Sequence, residues 1–187
     1  YAKLNEELNL ATDEFYNSYL EDQVLSNRIE YLDKILSNED LAYSLAAFSF
    51  IEGAVLYSSF AFLKHFQTNG KNKLLNVVSG INFSARDEAL HSEATGWLFQ
   101  QYVKEAGINI DEYEEKVKEI AEVVYEHEKA IIQKIFSEGD IEGITETQLD
   151  LFVKSRINIC LRNLGYKNLY EVTYNPIGEY FYKSVNG

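Results

Sequence analysis

The chain has 187 residues, of which 46% are hydrophobic and 25% charged, enough for one domain with its own core. Thirty acidic residues against 17 basic ones give a net charge of −13, which repels a phosphate backbone and argues against nucleic-acid binding. A single cysteine, Cys160, excludes an internal disulfide framework and suits a reducing cytoplasm, and no run is flanked like a signal peptide or a membrane span. The sequence starts at Tyr1 and contains no methionine, so it reads as part of a longer product or as a processed or incompletely recorded chain.

The dominant period is helical. Over residues 3–36, Leu4, Leu8, Ala11, Phe15, Tyr19, Ile29, Leu32 and Leu36 form a recurring stripe with acids between them. The Ser37-Asn38-Glu39-Asp40 stretch breaks it and supplies N-cap residues for an apolar helix over 41–66. A turn through Gly70 leads to a long helix over 72–106, ended by Gly107. A charged amphipathic helix follows from Asp111 to about Ser137, and Thr145 with Gln148 forms a capping box opening a helix to about Leu164. Beyond Gly165 the chain reads as aromatic and irregular through Asn175-Pro176. With no alternating strand pattern and no repeat, the expected fold is all-α, an antiparallel bundle with short connections forming one domain over 1–187.

Between Leu41 and Leu63 there are 23 residues and one charge, Glu52. A helix apolar all round is normally buried, so this carboxylate must be protonated, paired or metal-bound. In the next helix, Glu88 and His91 are three apart and share a face with Ile81, Ser84, Thr95 and Leu98. A hairpin turning near residue 69 places Glu52 and Glu88 about 17 and 19 residues from the turn, at nearly the same height. Two carboxylates and an imidazole at one point suit iron or manganese. Carboxylate-bridged di-metal bundles use a Glu from each of two helices and a Glu-x-x-His from each of two others; one of each is visible here.

The segments Phe50-Ile51-Glu52-Gly53-Ala54-Val55-Leu56-Tyr57-Ser58-Ser59-Phe60-Ala61-Phe62 and Ala85-Arg86-Asp87-Glu88-Ala89-Leu90-His91, with Asn175-Pro176, resemble the later part of the small, radical-generating subunit of class I ribonucleotide reductase. The resemblance implies a ferritin-like helical bundle without its first ligand helices, with Glu52, Glu88 and His91 as metal ligands. It implies Asp87 as an acid orienting a ligand histidine on the radical-transfer path, and Leu56 and Phe60 as apolar shields of the radical. It further implies a di-metal centre, most simply iron, with manganese or a mixed pair as alternatives. It also implies a large catalytic subunit as partner, a homodimer, and O2-dependent radical generation for ribonucleotide reduction. Before Glu52 there is no histidine, and nothing after Asn186-Gly187 resembles the family's docking tail. This chain alone is therefore expected to be inactive unless joined by an N-terminal fragment of the same subunit. Alternatives are another ferritin-like di-iron oxidase or oxygenase, or a metal-free fragment acting by association.

Elsewhere the bland readings prevail. His65, near a turn, and His127, among acids, read as surface residues, and Glu112 to Glu128 as a solvated face. Cys160 reads as a small core residue and Trp97 as packing. Tyr57, five residues after Glu52, lies roughly 140° around the helix from it and is not an obvious radical site.

Overall fold

A computed structural model describes residues 2–185, apart from the side chains of Leu36, Ser184 and Val185. Asn186 and Gly187, on which the expectation about a docking tail falls, and the Leu36 side chain of the first stripe lie outside the described residues. The chain divides into two compact units, Tyr1–Asn38 and Glu39–Gly187. No strand occurs among the described residues, in agreement with the all-α expectation.

In the first unit, α1 (Ala2–Glu7), α2 (Asp13–Asn17), a 3₁₀ turn (Ser18–Leu20) and α3 (Gln23–Leu36) replace the long stripe read from the sequence. The interruptions have local causes. Asn9 takes a left-handed backbone at φ 56°. The Thr12 hydroxyl accepts from Phe15 N at 3.2 Å, and Asp22 Oδ1 accepts from Val24 and Leu25 N at 3.1 and 3.2 Å. Each cap satisfies amides that a helix start leaves without a partner, and so restarts the helix.

The second unit contains α4 (Leu41–Ala54), α5 (Tyr57–His65), α6 (Leu75–Glu105), α7 (Glu114–Ile135), α8 (Glu146–Asn163) and α9 (Pro176–Val185). Asp40 caps α4, accepting from Tyr43 N at 3.1 Å while also receiving Tyr113 Oη and Lys116 Nζ, both at 2.9 Å. Thr145 and Gln148 form the expected capping box, with bonds of 3.2 and 3.0 Å. The helix α9 was not expected. Asn175 Oδ1 accepts from Gly178 N at 3.0 Å, and Pro176, whose missing N–H costs nothing in a first helical turn, occupies the first position.

The core lies where α4 meets α6, α7 and α8, with Phe50, Phe99, Phe152 and Phe181 fully buried. At the α4–α6 crossing the contact residues are small. Ser49 Oγ donates to Ser92 O at 2.9 Å, and Ser92 Oγ donates to Ser49 O at 2.8 Å. Gly53 stands against Ser92 and Cys160, with no room for a Cβ. This close approach sets the height at which Glu52 meets α6.

The expected single helix over 41–66 is broken. Val55 is extended (φ −64°, ψ 137°) and Leu56 is left-handed (φ 75°), a conformation costing a non-glycine residue roughly 1–3 kcal/mol. The Leu41–His65 stretch is long and apolar enough to cross a membrane by composition, yet 61% of its most apolar window is buried inside the protein. It is the core element of the second unit.

Candidate metal centre

Glu52, two residues before the end of α4, and Glu88 and His91, one turn apart on α6, come together as expected. His91 Nδ1 lies 3.1 Å from Glu52 Oε2 and 3.2 Å from Glu88 Oε2, and one donor atom from each residue falls within 4.8 Å of the others. The face is more open than the apolar surroundings of Glu52 suggested: the side chains of Glu52, Glu88 and His91 are 22%, 31% and 58% exposed. The stripe read as inward-facing therefore ends at the surface of this chain, where Leu98 is also exposed.

The charges do not balance. One Nδ1 proton cannot neutralise two carboxylates. Burial, followed by the hydrogen bond with Glu88, raises the Glu52 carboxyl above its ordinary value. The hydrogen bonds to Glu52 and then Glu88 raise the His91 imidazole above its own. This trio has an excess of negative charge and an oxygen/nitrogen donor set of the kind iron and manganese accept. It fits one end of a two-metal set, with three protein donors out of the four carboxylates and two imidazoles that such bundles supply.

Other expected residues are placed as follows. Asp87 is exposed, about 100° around α6 from Glu88. Leu56 is 45% exposed at the helix break, and Phe60 is buried with its ring 5.6 Å from that of Tyr57. Tyr57 is 1% exposed and donates its hydroxyl to Ala85 O at 3.0 Å; burial pushes its phenol up to about 12. Cys160 is buried and free, as expected.

Four sequence readings are overturned. His65 is buried, because the turn after α5 folds over it, and its Nε2 sits 3.2 Å from Lys71 Nζ; burial lowers its imidazole. His127 is half-buried rather than fully at the surface. Trp97, read as packing, is 58% exposed. Glu128, read as part of a solvated face, is 0% exposed. Its Oε1 accepts from Leu56 N at 3.2 Å and its Oε2 from Ser58 N at 2.9 Å, the amides freed by the break. Arg156 is also buried: its Nε donates to Gly53 O at 2.9 Å, and its guanidinium stacks on Tyr57 at 4.0 Å. Neither residue was legible as part of this site. A cavity of about 500 Å³, lined by Lys64, Asn69, Gln148, Tyr180 and Lys183 among others, includes none of the three candidate ligands.

Comparison with known proteins bears on the family and the fold. The family model "Ribonucleotide reductase, small chain" matches residues 1–176. A protein of Invertebrate iridescent virus 3 named as a ribonucleoside-diphosphate reductase small subunit is 32% identical over 142 residues, 74% of this chain and 37% of its own length. The ribonucleoside-diphosphate reductase subunit beta of Bacillus subtilis (strain 168) is 28% identical over 166 residues, 86% of this chain and 48% of that protein. The chain thus spans half or less of these curated relatives. A crystal structure from Bacillus halodurans assigned to class I ribonucleotide reductase superposes with a TM-score of 0.79 at 26% identity, over 90% of this chain and 63% of that one. The fold is the ferritin-like helical fold of that enzyme class, and the chain belongs to the ribonucleotide reductase small-chain family.

Proposed function

We propose that this chain contributes one ligand half of the di-metal centre in the small subunit of a ribonucleoside-diphosphate reductase, with Glu52, Glu88 and His91 as the protein donors. The observation that carries this reading is the position of His91 Nδ1 between two carboxylates, at 3.1 and 3.2 Å. A bound pair of iron ions, or manganese or a mixed pair, supplies the O2-derived oxidising equivalent that ribonucleotide reduction needs. The residues of this chain bind and orient. Glu52 and Glu88 provide anionic oxygens, and His91 provides a nitrogen whose proton must leave before metal enters, so acid weakens binding. The reciprocal Ser49–Ser92 hydrogen bonds hold the two ligand helices together.

The remaining donors are proposed to come from further small-subunit sequence, including an N-terminal fragment of the same subunit. The apolar residues Phe83, Leu90 and Trp97 support such association: they are 64%, 63% and 58% exposed and spaced by seven along one face of α6. A large catalytic subunit, a homodimer and a cytoplasmic setting belong to the same proposal, as does a single small-subunit domain over 1–187. The family match across both units supports that domain. Asp87 as a radical-transfer acid, and Leu56 and Phe60 as shields, complete it. The test is anaerobic dialysis of the 187-residue chain against Fe(II) and Mn(II), with and without the complementary part of a small subunit. Expected is no tight metal pair on the chain alone, and a pair in the complex that Glu52→Gln, Glu88→Gln and His91→Ala each weaken. Metal uptake unaffected by these three substitutions refutes the ligand assignment.

A further inference from the structure

We infer that Glu128 and Arg156 are positioning residues for Glu52, holding open a helix break immediately after it and thereby fixing the direction of its carboxylate. This rests on the reading of Glu52 as a ligand. In an unbroken helix, Leu56 N–H would bond to Glu52 C=O and Tyr57 N–H to Gly53 C=O. At the break these groups need other partners, because buried backbone polar groups do not stay unpaired. Glu128, from α7, receives Leu56 N–H and Ser58 N–H through separate oxygens, and so caps α5, whose own N-cap residue Leu56 offers no side-chain hydrogen bond. Arg156, from α8, donates to Gly53 O, the carbonyl next to Glu52.

A continuous apolar helix would need neither side chain, and burying a charge is costly unless it is well partnered. Here two buried groups of opposite sign, from two different helices, converge on residues 53, 56 and 58. What the break changes is the last turn of α4, which carries Glu52. Its side chain therefore leaves a pinned helix end, and its Oε2 reaches His91 Nδ1 on α6.

The full 187-residue chain is compared with Glu128→Ala, with Glu128→Gln, which keeps one acceptor oxygen, and with Glu126→Ala as an exposed control on the same helix. Cobalt(II) is the probe, read by its optical absorption. Leu56 and Ser58 amide exchange and the ¹⁵N shift of His91 Nδ1 are read by NMR. The expected result is faster exchange at both amides and cobalt affinity of the folded protein weakened about 10–100-fold in Glu128→Ala. The loss is smaller in Glu128→Gln and absent in Glu126→Ala. A lower melting temperature with parental cobalt affinity, or unchanged exchange at Leu56 and Ser58, overturns the inference and leaves Glu128 a purely structural cap. If the parent alone binds no cobalt, the affinities are read with the complementary part of a small subunit added, where absence of cobalt sinks the ligand reading, and in the chain alone the His91 shift decides positioning: movement in Glu128→Ala supports it, no movement sinks it. Should Glu128→Ala not fold, Glu128→Gln decides on the same readouts.

Discussion

Replacing Gly53 by alanine tests the close helix crossing on which the site depends. A Cβ built at residue 53 overlaps Ser92 Oγ and Cys160 Sγ and lies 3.0 Å from Ser92 Cβ. These neighbours cannot simply swing away, because Ser92 Oγ is held by Ser49 O and Cys160 is fully buried. Overpacking of this kind costs about 1–3 kcal/mol, while removing a glycine from a helix returns about 0.5–1 kcal/mol. The net loss is up to about 2.5 kcal/mol, which in a chain of this size lowers the melting temperature by up to about 10 °C. Thermal unfolding followed by circular dichroism measures it directly. A double-mutant cycle with Cys160→Ala is expected to return a coupling of about 0.5–3 kcal/mol. If Gly53→Ala melts at or above the parent, or if the two substitutions are simply additive, the argument from the crossing is wrong.

Further predictions concern charge and capping. NMR titration of His91 is expected to give a pKa above 6.5 that falls back when Glu52 or Glu88 is replaced by glutamine. Because its folded value is raised, the stability it contributes is complete below about 6.5 and fades as pH rises through the folded value. Lys64 acts in the opposite sense. It is 2% exposed, donates to Phe181 O at 2.8 Å, and burial lowers its ammonium to about 8. From about pH 8 to 10 the unfolded chain then holds more protons at this position, so the Lys64 contribution to stability rises with pH, and Lys64→Met is expected to flatten that limb of a pH–stability curve. Thr145→Ala removes the hydroxyl that accepts from Gln148 N at the start of α8 while the backbone N–H of residue 145 still donates to Gln148 Oε1, and it is expected to cost about 1 kcal/mol, read as a lowered midpoint in urea.

The three candidate ligands were visible in the sequence for a simple reason: Glu52 is the one charge in a 23-residue run, and helical spacing puts Glu88 beside His91. Periodicity also located α6, α7 and α8 to within a few residues. What it missed depended on partners distant along the chain. The break at Leu56 has no proline or glycine at its centre, and its stabilising groups come from positions 128 and 156, so nothing local announces it. Glu128 sits among acids that do face solvent, and pattern alone cannot single it out. The short α9 offered only Pro176 as a start signal, too little to outweigh an irregular aromatic run. In the first unit the error was different in kind: the apolar stripe was followed across Thr12 and Asp22, whose capping preference was the better guide.

Glu52 also matters before the chain has folded. Leu41–His65 has the length and mean hydropathy of a membrane-crossing helix, and Glu52 lies near its middle. An acidic residue at the centre of such a segment adds about 2.5–3.5 kcal/mol to the cost of insertion into a bilayer. In the nascent chain this carboxylate therefore opposes diversion of the segment into lipid and favours its packing against α6, α7 and α8. A leucine at position 52 would remove the proposed metal ligand and this safeguard together, so selection can hold the residue at two stages in the life of the protein.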